Sequence, residues 1–505
     1  MKTGKQKIGK FIQILLLSGL LAGNLWAQTE TPPPPSAPKS VKVPAVKEKS
    51  LKNGLDVVVI ENKNVPLVTA QLVIKAGAEA ESPEEAGLAD MTASLITKGT
   101  KTRSATDVAE QIEFLGGAIF SGANWNSSFL TVNVMSDKLD KAMEIMADSA
   151  LNPAFKQEEI DLLKSQTLDG LTYNLSQPGF LANYVASVYT FDKHPAGGTV
   201  ESVNNVKRED FVEFHKRWYA PWNAVLIITG DITAARANEL AQKYFGKWEV
   251  GEITQNIMEG PQQPESPEPD KTPVINRILV VDLPNSGQAS VKYALNIKDE
   301  GRVSWNEKSK ENEVSDAYYS ATVLNSLLGG GYSSRLNQEI RIKRGLSYGA
   351  GSGFAWTPRS VDFSTFTQTK NESAAEVADL VVTEINRLRE SDIPEAELNP
   401  RRLVLTGSFG RSLETTRGLA AAVSDLYSFD LSADVLNSYM SKVQSVTDKQ
   451  IKNFALEYLK GGDLIIVGDY SVFKDDLAKR FPGMKVEVIK ADQLDISQED
   501  LRKAD

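Results

Sequence analysis

The chain has 505 residues, enough for about two to four domains, and 41% of them are hydrophobic, which supports packed cores. Its net charge is −10 with no basic run, which argues against nucleic acid as a partner. There is no Cys, so disulfides and lipid attachment at Cys are excluded, and only two His, His194 and His215, are present as imidazole ligands for a metal.

Residues 1–27 read as a secretory signal. Lys2, Lys5, Lys7 and Lys10 precede an apolar run from Phe11 to Ala22, and Leu25-Trp26-Ala27 offers a cleavage site. The run is short for a membrane span and is weakened by Gln13 and Asn24, so no stable span is expected after cleavage. This places the mature chain in the periplasm. Residues 28–47, with Pro32-Pro33-Pro34-Pro35, form an extended linker, and a second Pro-rich linker covers 251–273. Two blocks remain, 48–250 and 274–495.

In the first block, 55–60 and 68–74 are rich in β-branched residues and read as strands, and 130–134 alternates. Helices are expected at about 87–96, 106–115, 137–150 and 157–174, the second capped by Ser104 or Thr106 and the third ended by Asn152-Pro153. The second block follows the same plan, with strands at 278–281 and 289–296 and a helix at 315–328. The blocks also end alike. Val206, Phe211, Phe214 and Tyr219 lead into Leu226-Ile227-Ile228-Thr229-Gly230-Asp231. Val446, Ile451, Phe454 and Tyr458 lead into Leu464-Ile465-Ile466-Val467-Gly468-Asp469. Each is an apolar-faced helix, the second capped by Thr447 or Asp448, then a buried strand stopped by Gly-Asp, which reads as an internal duplication. The expected fold class is α+β.

The stretch Gly87-Leu88-Ala89-Asp90-Met91-Thr92-Ala93-Ser94, followed by Lys98-Gly99-Thr100, carries the strongest motif. It resembles the active-site helix of the pitrilysin/insulinase zinc metallopeptidases, the family of mitochondrial processing peptidase, in which G-L-A-H-x-x-E-H-x-x-x-K-G-T frames two His ligands and a Glu base. Here Asp90 and Ser94 stand at the His positions and Ala93 at the Glu position. The region matching the third ligand, Lys164–Leu171, holds Asp169 but no Glu. His194-Pro195-x-Gly197, Tyr219-x-Pro221-x-Asn223 and Gly230-Asp231-Ile232 fit the same family, and the resemblance covers nearly all of residues 51–489. His194 and His215 have no second His at metal spacing and read as structural. Asp90 and Asp169 leave open a weak hard-cation site.

The resemblance implies two homologous halves, each an antiparallel sheet covered by helices, forming a clamshell around a peptide. It also implies roles in the second half. Arg341 and Tyr348 have the family's seven-residue spacing for an Arg and a Tyr that steady the scissile peptide. Gly329-Gly330-Gly331 reads either as a place for close peptide approach or as a helix terminator with a left-handed Gly. No Gly-Lys-Ser/Thr follows, so it is not a phosphate loop. The implied assignment is a zinc-free subunit with substrate-binding Arg341, Tyr348, Gly329, Gly330 and Gly331 and no catalytic residue or cofactor of its own. Zinc would sit in an H-x-x-E-H partner. The alternative is a non-catalytic peptide-binding or scaffold protein built on the same fold.

Overall fold

The computed structural model describes residues 43–250, 272–298, 300–498 and 500–503. The expected signal at 1–27 lies outside these residues, as do all but the last few positions of each Pro-rich linker. Among the described residues no helix is long and apolar enough to cross a membrane.

The first half runs β1 (Val46–Ser50), β2 (Asp56–Glu61), β3 (Leu67–Ile74), α1 (Leu88–Leu95), α2 (Ala105–Phe114), β4 (Ala118–Ala123), β5 (Ser128–Met135), α3 (Leu139–Leu151), α4 (Gln157–Asn174), α5 (Pro178–Tyr189), α6 (Val200–Asn205), α7 (Arg208–Trp218), β6 (Ala224–Gly230) and α8 (Ala234–Phe245). The second runs β7 (Ile275–Asp282), β8 (Ala289–Ile297), β9 (Val303–Asn306), β10 (Glu311–Val314), α9 (Asp316–Leu328), β11 (Ala350–Trp356), β12 (Val361–Thr369), α10 (Ala374–Glu390), α11 (Glu395–Ser412), α12 (Thr416–Tyr427), α13 (Val435–Ser445), α14 (Asp448–Tyr458), β13 (Gly462–Gly468), α15 (Tyr470–Arg480) and β14 (Val486–Lys490). β1 starts two residues inside the expected linker because its backbone pairs with β2, Val46 opposite Ile60.

Each half builds a six-stranded sheet, in the orders β1-β2-β6-β3-β5-β4 and β14-β7-β13-β8-β12-β11. The five inner-to-edge strands correspond one to one, and the duplicated segments seen in sequence, α7–β6 and α14–β13, sit at equivalent places. Most pairs are antiparallel, as expected. The parallel pair β2–β6 follows from topology: β6 inserts between two consecutive strands of opposite direction, so it must run parallel to one of them. The same holds for β13 between β7 and β8, and β14 adds a second parallel pair at the edge. Ser104 and Thr447 are the observed caps, each closing a capping box through Asp107 or Gln450. Gly230 stops β6 at φ 131° and leaves no room for a Cβ beside Leu67.

Both faces of each sheet are covered, which is why the central strands read as continuous apolar runs rather than alternating ones. On one face Val57, Val59, Ala70 and Leu72 pack with helices of their own half, including Met143 and Phe211. On the other, Val58, Ile60, Val73, Val225 and Ile227 meet Leu419, Ala420 and Val423 of α12, a helix of the second half. The arrangement is reciprocal. Leu181, Ala182, Val185 and Ala186 of α5, a first-half helix, cover Leu279, Val281, Ala294, Ile465 and Val467 of the second sheet. Polar bonds fix the exchange. Thr229 Oγ1 donates to Thr416 O at 2.6 Å, Thr190 Oγ1 donates to Asp463 Oδ2 at 2.8 Å, and Lys193 Nζ pairs with Asp362 Oδ2 at 2.6 Å. The two valves are therefore clasped by one helix from each.

Candidate functional site

Helix α1 places the degenerate motif. Gly87 starts it at φ 92°, against Gly198, where a side chain would be both strained and crowded. Glu81 caps it: Gly87 N–H donates to Oε1 at 2.7 Å and Ala89 N–H to Oε2 at 2.6 Å. Burial lifts the Glu81 carboxyl to about 8, against the pull of those two donors. His194 Nδ1 lies 3.6 Å from Glu81 Oε1, its Nε2 is 3.1 Å from Ala78 O, and its ring packs against Trp125 at a tilt of 41°.

Asp90 is half-buried and accepts a 3.4 Å hydrogen bond from Ala123 N–H on β4, and burial raises its carboxyl. Ala93 is fully buried and Ser94 half-buried. One carboxylate, one methyl and one hydroxyl do not make a zinc site, which needs about three ligands in fixed geometry. Asp169 is exposed on α4, and His215 is half-buried with Nε2 2.7 Å from Ala150 O, its ring held down at about 4 by desolvation. Among the described residues no cluster of three or more His, Cys, Asp or Glu is placed to hold a metal.

In the second half the triple glycine ends α9. None of Gly329, Gly330 and Gly331 is left-handed; Gly329 has φ −145°. The terminator reading holds without the left-handed Gly, because Gly329 lies against the backbone of β11 at Ser352 and Gly330 against that of Ser326, and neither has room for a Cβ. Gly331 is in open space. Just beyond, Arg335 forms a bidentate pair with Glu397 at 2.8 and 2.9 Å, anchoring the turn that carries Asn337–Ile342. Arg341 is on that turn, 5.0 Å from the ring centre of Tyr332.

Tyr348 lies in the loop before β11 and is 91% exposed. It rims an open cleft of about 500 Å³ between α5 and the second sheet, with Phe180, Lys292 and Phe366. No residue of α1 lines this cleft, nor does Arg341. Arg341 lies on the turn that leads into this loop: Gly345 N–H donates to its carbonyl oxygen at 3.0 Å, and Leu346 N–H to that of Ile340 at 2.9 Å. Lys292 was not singled out from sequence. The signal was a Lys inside a strand, 289–296, that otherwise reads as buried.

The fold and the emptied ligand helix define a metallopeptidase-type chain without the ligands of its class. Residues 57–178 match Insulinase (Peptidase family M16), and residues 205–402 match the Peptidase M16 inactive domain. The chain belongs to the M16 family. It is 26% identical over 380 residues to an uncharacterized zinc protease of Mycobacterium leprae, covering 74% of this chain and 81% of that protein. An uncharacterized zinc protease of Bacillus subtilis is 23% identical over 376 residues, covering 74% and 85%. Among solved structures, an M16 inactive domain from Pseudomonas fluorescens aligns with TM-score 0.72 at 23% identity, covering 84% of this chain and 98% of that one. A Helicobacter pylori protease aligns at 0.74 and 20%, covering 85% and 100%.

Proposed function

We propose that this chain is the zinc-free, substrate-orienting subunit of a periplasmic two-chain M16 peptidase. Its partner would carry H-x-x-E-H and the zinc. The observation that carries this reading is Tyr348: a phenol 91% exposed, in the half that matches the inactive domain, on a chain whose own ligand helix offers Asp90, Ala93 and Ser94. A phenolic donor facing a second chain can stabilise charge developing on a peptide carbonyl oxygen, and Arg341 on the neighbouring turn can orient the peptide backbone. The Lys-led apolar stretch within 1–27 supports export.

The test is affinity capture of the tagged full chain from periplasmic extract, with metal analysis of each chain recovered. The expected result is a co-purifying H-x-x-E-H chain carrying ~1:1 zinc, as a three-ligand site does, with zinc absent from this one. Stoichiometric zinc in this chain alone, with chelator-sensitive proteolysis, refutes the reading. Capture of no peptidase, with an unchanged phenotype when Arg341 and Tyr348 are both replaced, leaves the scaffold alternative.

A further inference from the structure

Lys292 is a charge with no visible reason to be where it is. It sits mid-strand on β8, only 4% exposed, with Ile465 of β13 beside it in register. Alternation puts Val291 and Tyr293 toward the helices of the second half and Lys292 toward α5. No described residue forms an ion pair or hydrogen bond with its ammonium. Burial, with no charged neighbour to offset it, holds that ammonium down at about 8. A buried lysine is ordinarily paired, yet the cleft it lines contains no Asp, Glu or Arg.

A second feature points the same way. Gly179 and Phe180, at the N-terminal end of the twelve-residue α5, line the same cleft. As first-turn residues their N–H groups have no partner within the helix, and the helix dipole places positive potential there. Ser290, buried beside Lys292, adds a hydroxyl.

We propose that this cleft is a carboxylate-binding site, with the Lys292 ammonium as counter-ion and the first turn of α5 as its hydrogen-bond donor. One lysine without any arginine suits a singly charged carboxylate rather than a phosphate, which is usually held by several cations or an arginine fork. The aromatic rim of Phe180, Tyr348 and Phe366 suits a carboxylate at the end of, or projecting from, a larger organic chain. In a peptide, that group is either the C-terminal carboxylate or an Asp or Glu side chain. The site belongs to this chain alone and does not depend on a partner.

Three probes separate the sources: N-dansyl-pentaalanine as the free acid, the same peptide as its amide, and N-dansyl-Ala-Ala-Glu-Ala-Ala amide. Binding to the purified full chain is read by dansyl fluorescence. The free acid should bind saturably and at least about tenfold more tightly than the pentaalanine amide, the low end of what one charge-assisted contact supplies. Lys292→Met should abolish that preference. The Glu-containing amide binding as well as the free acid assigns the site to acidic side chains; failing to bind assigns it to C-termini. A second readout needs no variant. Acetic anhydride at pH 7.5 should acetylate Lys292, and the free acid, not the pentaalanine amide, should protect it. Equal affinity for acid and amide, an unchanged preference in Lys292→Met, or acetylation unaffected by the free acid overturns the proposal.

Discussion

Replacing Lys292 by Met should stabilise the ligand-free chain, and the gain should vanish at high pH. Met has similar length, is unbranched and fills irregular apolar space. The side chain is 4% exposed, and burial takes its ammonium from an ordinary 10.5 to about 8. That gap corresponds to about 3 kcal/mol of destabilisation from keeping the buried lysine charged. The sign follows from linkage. The folded state holds its proton less tightly than the unfolded state, so the penalty is full below pH 8, shrinks between 8 and 10.5, and disappears above. Urea unfolding followed by tryptophan fluorescence at pH 7 and at pH 10.5 gives the difference between variant and parent at each pH. All other titrations are common to both chains and cancel. The variant should be more stable by about 3 kcal/mol at pH 7 and by at most about 1 kcal/mol at pH 10.5. A difference that is the same at both pH values, or a variant less stable at pH 7, refutes the account of Lys292 as an unpaired buried charge.

Leu419→Ala, in the exchanged helix α12, should cost about 3–5 kcal/mol, the scale of a fully buried Leu, and should shift a single unfolding transition for the whole chain; loss of only one half's signal would show that the exchange does not couple the halves. Glu81→Ala leaves the N–H groups of Gly87 and Ala89 without their acceptor and should destabilise by about 1–3 kcal/mol, measured by thermal melting; an unchanged Tm would remove Glu81 as the cap of α1. The triple variant Asp90→His, Ala93→Glu, Ser94→His should remain inactive on unfolded peptides, because 164–171 supplies no Glu for the third ligand position, only the exposed Asp169, and no oriented second shell; efficient chelator-sensitive hydrolysis would show that a third ligand is in place.

Much of the architecture was legible because local signals agreed with tertiary ones. The strands at 55–60, 68–74 and 289–296 and the helix at 157–174 carry apolar patterns that packing only sharpened. The duplication was readable because α7–β6 and α14–β13 keep both spacing and their Gly-Asp stop. The exchange of α5 and α12 was not readable. Leu181, Ala182 and Val185 show an apolar face but not which sheet it covers, and that pairing joins them to Leu279 and Val281, about a hundred positions away, and to Ile465 and Val467, nearly three hundred away. At Gly329 the terminator function was readable and its cause was not, since close approach to β11 requires glycine there rather than a left-handed φ. The motif positions Asp90, Ala93, Ser94, Arg341 and Tyr348 were found by frame and spacing. The cleft that Lys292 shares with Tyr348 depends on long-range sheet order that spacing does not encode.

The central claim is that Tyr348 and Arg341 act on a substrate held at a partner's zinc. Steady-state peptide hydrolysis by the reconstituted pair tests it, with assembly checked by size-exclusion chromatography. Tyr348→Phe removes one hydroxyl and keeps the ring, so the complex should still form while turnover falls about 10²–10³-fold, the usual scale for one such donor. Arg341→Ala should weaken peptide binding and turnover together. Kinetics unchanged in both variants, on a complex that assembles normally, would contradict the substrate-orienting role.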